Sequence, residues 1–372
     1  MAVWDTLGRP DPTPWLLEAG EPAAAWVALT ELLDVPEDDS RAIAARDDVL
    51  AEPDTRALLD ALPDWAVDNG VTGHDKPLLA TNLLDLLGDM GVRAEDDPRI
   101  GRLLDQMLEH ADADGRFEMC ACERGSDVSR WGALLCDTHA IADVLGRFGR
   151  VDDPRVLRAL ATAEADLVET AQGLAWPCRP ASGSSWRGPG RALDICPQTT
   201  LEGLRAFSRL SAARRPSVLP RVIHTSLGVW RGRGEHKPYM FGHGRQFKTA
   251  KWPVTWYGAY EVADVLGGYP EVLSGTGAGD GDVTALAEIA ACLLAYNVAA
   301  DGRVTPQSAF KGFEAHSFGQ KKAPSPFATA RVWAVLKRVE YLAPRIAAVD
   351  VLSLGSSKGG NGTPQPPKVG PR

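Results

Sequence analysis

Leu83-Leu84-Asp85-Leu86-Leu87-Gly88 is a motif that returns along this chain of 372 residues. It comes back as Ile141-Ala142-Asp143-Val144-Leu145-Gly146 and as Val262-Ala263-Asp264-Val265-Leu266-Gly267. Looser copies end at Leu33, Phe207 and Leu336, so that successive copies lie 54, 58, 62, 59 and 70 residues apart. Repetition at such a period is typical of an architecture built from stacked structural repeats.

The repeated motif predicts the first of two helices in each unit. Its surroundings are apolar nearly all round, as in Leu78-Leu79-Ala80-Thr81-Asn82-Leu83-Leu84, so this helix must be buried on most sides. A glycine follows Leu87, Leu145 and Leu266, and glycine is the usual residue of a left-handed helix end. We therefore expect each first helix to end in a cap at this glycine.

A second helix is predicted after each first helix. Asp97-Pro98 and Asp153-Pro154 each place a capping carboxylate before a proline that suits the first helical turn. Apolar residues then recur at helical spacing between Ile100 and Leu108, which indicates an amphipathic helix. Related tight turns follow two of these helices, at Asp114-Gly115-Arg116-Phe117 and at Asp301-Gly302-Arg303-Val304.

The repeats together predict the fold class. Six buried first helices and about five second helices predict an all-α fold, an (α/α)6 toroid of about six two-helix repeats. Runs with the period of a β-strand are nearly absent. Because the repeats continue along the chain, we expect one domain over residues 1–350. Residues 351–372 are rich in Gly, Ser, Pro and Lys, which predicts a disordered tail.

The helix starts, the Asp-Gly-Arg-Phe turn and the repeat spacing resemble the prenyltransferase and squalene-cyclase repeat superfamily. Within it, the chain is similar to uncharacterised repeat-containing members from bacteria. The resemblance covers roughly residues 14 to 342. It implies a toroid with a central cavity and, if the chain is an enzyme, a transferase or cyclase of the prenyltransferase-like group. Since one fold hosts many activities, it says little about the reaction.

Composition narrows the class of protein. Residues 1–118 carry 9 basic and 27 acidic side chains, whereas the remainder carries 31 basic and 22 acidic ones. The acidic balance and the lack of a nucleic-acid motif argue against a nucleic-acid partner. Because the sequence has no apolar run of membrane-spanning length and no signal-peptide pattern, we expect a soluble cytoplasmic protein. The sequence does not indicate a protein partner.

The cysteines form the first candidate site. The loops that carry them are neighbours at one end of the expected toroid, and soft ligands in a reducing compartment favour Zn²⁺ or an iron–sulfur cluster over disulfides. The predicted metal ligands are Cys120, Cys122, Cys178 and Cys196, with Cys136 and His139 in reserve. The alternative is that these residues are small buried groups near helix starts, as the apolar surroundings indicate for Cys292.

The resemblance implies two further motifs. Protein prenyltransferases of the superfamily bind zinc through an Asp-x-Cys pair and a later histidine, and Asp194-Ile195-Cys196 matches the pair. The position of the histidine reads Thr255-Trp256-Tyr257-Gly258, which departs from that pattern. The Asp-x-Asp-Asp acid of squalene-type cyclases is absent from the sequence, so that cyclisation chemistry is not expected.

Basic and aromatic residues form the second candidate site. Lysines precede proline-started helices, where helix N-terminal amides favour an anion, and neighbouring aromatic rings can line an apolar pocket. We expect Lys251, Lys322, His243 and Arg245 to hold an anionic head group. The expected apolar wall consists of Trp252, Trp256, Tyr257 and Phe327. The alternative is that the lysines are solvated helix ends and that the rings fill the toroid.

Three functions remain open from the sequence. The first is a prenyltransferase- or terpene-cyclase-like cavity for an apolar, isoprenoid-like small molecule or lipid with an anionic head. The second is a metal-centred lyase or transferase that uses the clustered cysteines, as in peptide cyclases that combine helical toroids with cysteine-held zinc. The third is a non-catalytic scaffold or binding toroid.

Overall fold

The computed structural model describes residues 2–65, 73–122, 129–178, 193–236, 238, 240–274 and 279–354. For residues 121, 122, 129 and 130 the description covers the backbone alone. Most of the predicted tail, residues 355–372, lies outside these ranges. Residues 351–354 form turns, and the carbonyl oxygen of Leu354 accepts a hydrogen bond from Arg233 at 3.1 Å.

The described chain is mostly helical, as the repeats predict. Its α-helices are α1 Val3–Thr6, α2 Thr13–Glu18, α3 Pro22–Val27, α4 Ser40–Ala51, α5 Pro53–Asp60, α6 Ala80–Asp89, α7 Pro98–Glu109, α8 Leu135–Leu145, α9 Pro154–Ala165, α10 Pro197–Ser208, α11 Leu219–Arg231, α12 Arg245–Lys248, α13 Ala259–Gly267, α14 Pro270–Leu273, α15 Asp280–Asn297, α16 Pro326–Arg338 and α17 Ala343–Ala348. Wider π-helical turns continue α3 over Ala28–Leu32 and α8 over Gly146–Arg150. Short 3₁₀ turns cover Ala212–Arg214, Ser317–Gly319 and Glu340–Leu342.

Three two-stranded sheets join the helices in the described part of the chain. Strands β1 Met119–Cys122 and β2 Ser129–Gly132 pair antiparallel, with Met119 opposite Gly132. Strands β3 Val168–Thr170 and β4 Gly173–Ala175 also pair antiparallel. Strands β5 Lys251–Trp252 and β6 Ser308–Ala309 pair in parallel, with Lys251 opposite Ser308. None of the described helices is both long and apolar enough to cross a membrane.

The first helices contact one another in chain order. Helix α6 packs on α8, α8 on α10, α10 on α13 and α13 on α16. The last of them, α16, contacts α3 at the start of the chain. Glu21, just before α3, accepts hydrogen bonds from the Ser317 hydroxyl at 2.9 Å and from the backbone N–H of Phe327 at 3.2 Å. These contacts join the two ends of the described chain.

The predicted starts of the second helices are confirmed. The carboxylate of Asp97 accepts a hydrogen bond from the backbone N–H of Arg99 at 2.9 Å, and Asp153 accepts one from Arg155 at 2.8 Å. Each carboxylate thus satisfies an amide that has no partner within its helix. Ile100 and Val156 follow in the first turns and are fully buried, so the caps fix where the apolar faces begin.

The predicted glycine caps are wrong. Gly88 and Gly267 lie inside α6 and α13, and Gly146 has a helical φ of −63°. The residues that take left-handed φ values are Gly91 at 95° and Gly149 at 84°, each three residues further on. The motif glycine therefore marks the end of the helix to within a few residues. The left-handed turns after α6 and α8 are made by glycines three residues later.

The motif glycines instead make room for arginines of the next repeat. A Cβ atom on Gly146 would lie 2.9 Å from Cβ of Arg209, and one on Gly267 would lie 2.9 Å from Cβ of Arg338. At Gly88 it would overlap the guanidinium of Arg147. Each arginine side chain therefore crosses the preceding first helix where that helix has no side chain.

Candidate functional site

The aspartate of the repeated motif faces a cavity enclosed by the first helices. Asp85, Asp143 and Asp264 all line this cavity, together with charged residues one helical turn before or after the motif position. The other charged groups on its wall are Asp89, Arg147, Glu202, Arg205, Arg209, Glu261, Arg331 and Arg338. Its volume is about 170 Å³, smaller than the roughly 300–1,000 Å³ of pockets for drug-sized ligands. We call it the central cavity.

Ion pairs between successive repeats hold the wall of the central cavity. Arg209 donates to Asp143 of the preceding repeat at 2.7 Å, and Arg338 donates to Asp264 of its preceding repeat at 2.5 Å. Arg147 donates to Asp85 of its preceding repeat at 3.4 Å and to Asp89 at 2.6 Å. Because buried charges are stable only when paired, the arginines that cross the motif glycines also neutralise the motif aspartates.

The acidic side chains on the wall of the central cavity differ in their pKa values. Burial raises the pKa of Asp85 to about 6, and burial with the nearby charges of Asp264 and Asp85 raises that of Glu261 to about 8, although Arg205 donates to it. At Asp89, the neighbouring Arg331 and Arg147 outweigh burial and lower the pKa to about 2. Near neutral pH the cavity therefore holds both ionised and protonated carboxyl groups.

Glu261 makes stability depend on pH. Its pKa is about 8 in the folded chain against an ordinary value of 4.5, so the folded state binds more protons between these values and stability falls as the pH rises through them. Glu261→Gln cannot ionise, and we expect its free energy of unfolding to fall by about 2–4 kcal/mol less than that of the wild type between pH 5 and pH 8.5. Urea unfolding at several pH values measures this, and parallel profiles for the two proteins would contradict it.

Three side chains of metal-ligating type meet beside the central cavity. Nε2 of His74 lies 3.2 Å from Sγ of Cys136, and these atoms and a carboxylate oxygen of Glu202 all lie within 4.8 Å of one another. His74 stands in the turn before α6, where the Asn82 side chain donates to its carbonyl oxygen at 2.9 Å. Cys136 is in the first turn of α8, and Glu202 is in α10. The group is called the His74–Cys136–Glu202 cluster.

One carboxylate oxygen of Glu202 accepts a hydrogen bond and the other has no partner among the described residues. Its Oε1 accepts a hydrogen bond from the Gln198 amide at 3.0 Å, while the Gln198 oxygen accepts one from the backbone N–H of Tyr257 at 2.7 Å. Its Oε2 is buried and has no hydrogen-bond partner among the described residues. A buried carboxylate oxygen without a partner is costly, so this atom points to a ligand.

Burial and neighbouring charges shift the pKa values of the groups in and beside the cluster. Burial raises the pKa of Glu202 to about 7 and that of Asp137 to about 6, and it raises the pKa of the Cys136 thiol strongly. At His74 burial is outweighed by the charges of Asp137 and Glu202, which raise its pKa. Oδ1 of Asp137 lies 3.6 Å from Nε2 of His74. A bound cation would relieve the repulsion between these acids.

The donor set suits zinc. Imidazole nitrogen, thiolate sulfur and carboxylate oxygen are the ligand types of Zn²⁺ in proteins, and a set of three leaves a fourth position for water or substrate. The buried, uncommitted oxygen of Glu202 fits such an ion. Because Glu202 also lines the central cavity, the fourth position would be reached from there.

Two of the predicted metal cysteines lie together next to this cluster. Cys178 and Cys196 share a hydrogen bond, and the Thr199 hydroxyl donates to Sγ of Cys196 at 3.2 Å. The charge of Cys196 acts on both His74 and Cys136. The loop before α10 and the start of α8 thus bring three of the six cysteines to one place.

The other predicted metal residues lie elsewhere or outside the description. Cys120 is buried in β1, and the side chain of Cys122 lies outside the described residues. The buried His139 places Nδ1 3.0 Å from the carbonyl oxygen of Thr199, and burial lowers its pKa to about 4. Cys292 is buried in α15, as expected. The four-cysteine set therefore stays a prediction.

His74 is a ligand candidate that the sequence did not predict, although the repeat spacing contains a signal for it. His74, Cys136 and Cys196 are 62 and 60 residues apart, so each lies near the start of one of three successive first helices. Glu202 also had a signal, since Glu261 stands at the same place in the next repeat, three residues before the motif position.

The structure divides the predicted ligand-binding residues between two pockets. Trp252 and Phe327 line the central cavity, whereas Lys251, Trp256 and Tyr257 line a second pocket beside it. Both pockets share Val254, Thr255 and Tyr260. The expected apolar wall is thus present only in part around the central cavity, where charged groups predominate.

The remaining predicted head-group residues do not converge on either pocket. His243 is buried against Trp230 and Phe247, with Nε2 3.1 Å from the Tyr257 hydroxyl. Arg245 donates to the Gln307 side chain at 2.9 Å on the surface. Lys322 is exposed in the loop before α16.

Comparison of the chain with protein-family models, with curated proteins and with solved structures found no match. The resemblance to the prenyltransferase and squalene-cyclase repeat superfamily therefore remains a prediction from the sequence.

Proposed function

We propose that the chain is a zinc-dependent enzyme of the lyase or transferase class, built as an (α/α)6 toroid. The contacts that run from α6 through α8, α10 and α13 to α16, and on from α16 to α3, support a ring of six repeats. The ring would enclose the central cavity, with the His74–Cys136–Glu202 cluster beside it, near the N-terminal ends of α6 and α8 and within α10.

One observation carries the proposal. His74, Cys136 and Glu202 come from three successive repeats, their ligand atoms lie within 4.8 Å of one another, and Oε2 of Glu202 is buried without a partner. Asp137 lies beside His74 and gives it a charge partner, but packing leaves Oε2 of Glu202 unexplained, because a buried polar atom without a hydrogen-bond partner is costly.

The residues in and around the cluster would have different roles in binding the metal and the substrate. His74, Cys136 and Glu202 would hold Zn²⁺, which supplies a Lewis acid and lowers the pKa of a bound water or thiol. Gln198 fixes the orientation of Glu202 through its hydrogen bond, a role that outer groups commonly have at metal sites. Asp137 lies 3.6 Å from the same Nε2 of His74 that would hold the ion, so its carboxylate would add negative charge beside the metal. The charged wall of the central cavity would bind a small polar substrate.

The isoprenoid-like ligand remains the weaker proposal for the central cavity. An isoprenoid chain is stabilised by apolar walls, whereas this cavity presents eleven charged side chains and a volume of about 170 Å³. The charged wall therefore favours a small polar molecule over a lipid.

Metal analysis tests the proposed function. We expect protein prepared anaerobically and dialysed against zinc to hold about one zinc per chain by plasma mass spectrometry. Cys136→Ser should hold less than about a fifth of that amount, because a serine hydroxyl is a poor zinc ligand at neutral pH. The control, Cys292→Ser, removes a thiol in α15 and should keep the metal. Zinc-free wild type, or equal zinc in Cys136→Ser, would refute the proposal.

A further inference from the structure

The second pocket has the size of a ligand site and does not depend on the cluster. It lies between the segment that carries β5 and the start of α13, with a volume of about 330 Å³. This volume is within the range of about 300–1,000 Å³ that small-molecule sites occupy. Lys251, Trp256, Tyr257 and Phe310 line it, and we call it the β5 pocket.

The walls of the β5 pocket are aromatic and firmly held. Trp256 stacks on Phe241 with ring centroids 5.9 Å apart and an angle of 13° between the planes. Phe310 follows β6, and its backbone N–H donates to the carbonyl oxygen of Trp252 at 2.8 Å. Tyr257 is buried at the base. Rings held in this way offer flat surfaces on which another planar ring stacks.

The mouth of the β5 pocket is positive. The side chain of Lys251 is exposed, and its ammonium lies 3.5 Å from the ring centroid of Phe310. Partial burial lowers the pKa of that ammonium, and the charges of Lys76 and Lys321 lower it further against the opposing charge of Asp75. Lys76 lies 3.8 Å from Asp75 and pairs with it, so Lys251 and Lys321 carry the excess positive charge near this pocket, which favours an anion.

We propose that the β5 pocket binds a planar aromatic carboxylate, with its ring against Trp256 and Phe310 and its carboxylate on the ammonium of Lys251. A ring without charge would gain the stacking but leave the ammonium groups repelling one another. An aliphatic anion would gain the charge contact but leave the flat ring surfaces poorly filled. The assignment is separate from the zinc proposal, since none of the three cluster residues lines this pocket.

Calorimetric titration of the full chain with 2-naphthoate tests the assignment, with 2-naphthylmethanol as the neutral analogue of the same shape. We expect 2-naphthoate to bind about tenfold more tightly than the alcohol. Lys251→Met should remove that preference, whereas Lys337→Met, whose lysine pairs with Asp34 at 2.6 Å on another face, should keep it.

A second variant separates stacking from charge. Trp256→Leu should weaken both probes about three- to tenfold and leave their ratio unchanged, because it removes a flat surface that stacks on Phe241, whereas the ammonium of Lys251 lies on Phe310. Equal affinity for the acid and the alcohol, an unchanged preference in Lys251→Met, or no binding of either probe would overturn the assignment. Titration of chelator-treated protein should give the same affinities, so failure of the zinc proposal leaves this result intact.

Discussion

Glu202→Gln is expected to lower the affinity of the chain for zinc by about 100-fold or more, or about 2.7 kcal/mol. The amide keeps the size of the side chain and can still contact Gln198, but it removes the anionic oxygen that is buried without a partner in the His74–Cys136–Glu202 cluster. Competition with a chromophoric chelator measures the affinity.

The repeat supplies a matched control for this variant. Glu261 has the same place in α13 that Glu202 has in α10, three residues before the motif position, and both line the central cavity. Glu261 pairs with Arg205 and is not part of the cluster. Glu261→Gln should therefore change the zinc affinity less than about threefold. Equal losses in the two variants would indicate a general disturbance of the cavity wall and would count against the cluster.

Gly146→Ala is expected to lower the free energy of unfolding by about 1–3 kcal/mol. The added methyl group would lie 2.9 Å from Cβ and Cγ of Arg209, atoms close to the backbone that cannot swing away. Arg209 would have to shift and weaken its 2.7 Å hydrogen bond to Asp143, which is buried. Chemical denaturation measures the change.

The direction of the stability change distinguishes this role of Gly146 from the ordinary helix propensity of alanine. Glycine to alanine inside a helix ordinarily stabilises by about 0.5–1 kcal/mol, and Gly101→Ala in α7 should do so, because a Cβ atom there meets nothing within 4 Å. In the background of Arg209→Gly, Gly146→Ala should lose most of its cost, since both the Cβ and the Cγ atom that obstruct the methyl group are gone. Stabilisation by Gly146→Ala in the wild-type background would contradict the role of the motif glycine.

The helices were predictable because their signals are local. Asp97 and Asp153 cap the helices that they precede, and the apolar spacing from Ile100 to Leu108 gives the buried face of α7. The role of the motif glycine was not predictable in the same way. It depends on Arg209, which is more than sixty residues from Gly146. Local sequence preferences do not reveal a contact with a side chain of the next repeat.

The candidate site was predictable only in its general position. The sequence placed cysteines at neighbouring helix starts, and Cys136, Cys178 and Cys196 do lie together. The choice of ligands depends on which side-chain atoms meet, and the turn before α6 brings in His74, whereas Glu202 enters from within α10. Likewise, the motif aspartates were visible as repeats, and Arg147, Arg209 and Arg338 each stand two residues after the last apolar residue of a copy, but the pairing of one repeat with the next cannot be read within a single repeat.

X-ray absorption at the zinc edge of the zinc-loaded chain tests the central claim most directly. The His74–Cys136–Glu202 cluster predicts one sulfur at about 2.3 Å and the remaining ligands as nitrogen or oxygen at about 2.0–2.2 Å. A shell of four sulfurs would instead identify the set Cys120, Cys122, Cys178 and Cys196, and a shell without sulfur would exclude Cys136. Either of these results would contradict the site proposed for this protein.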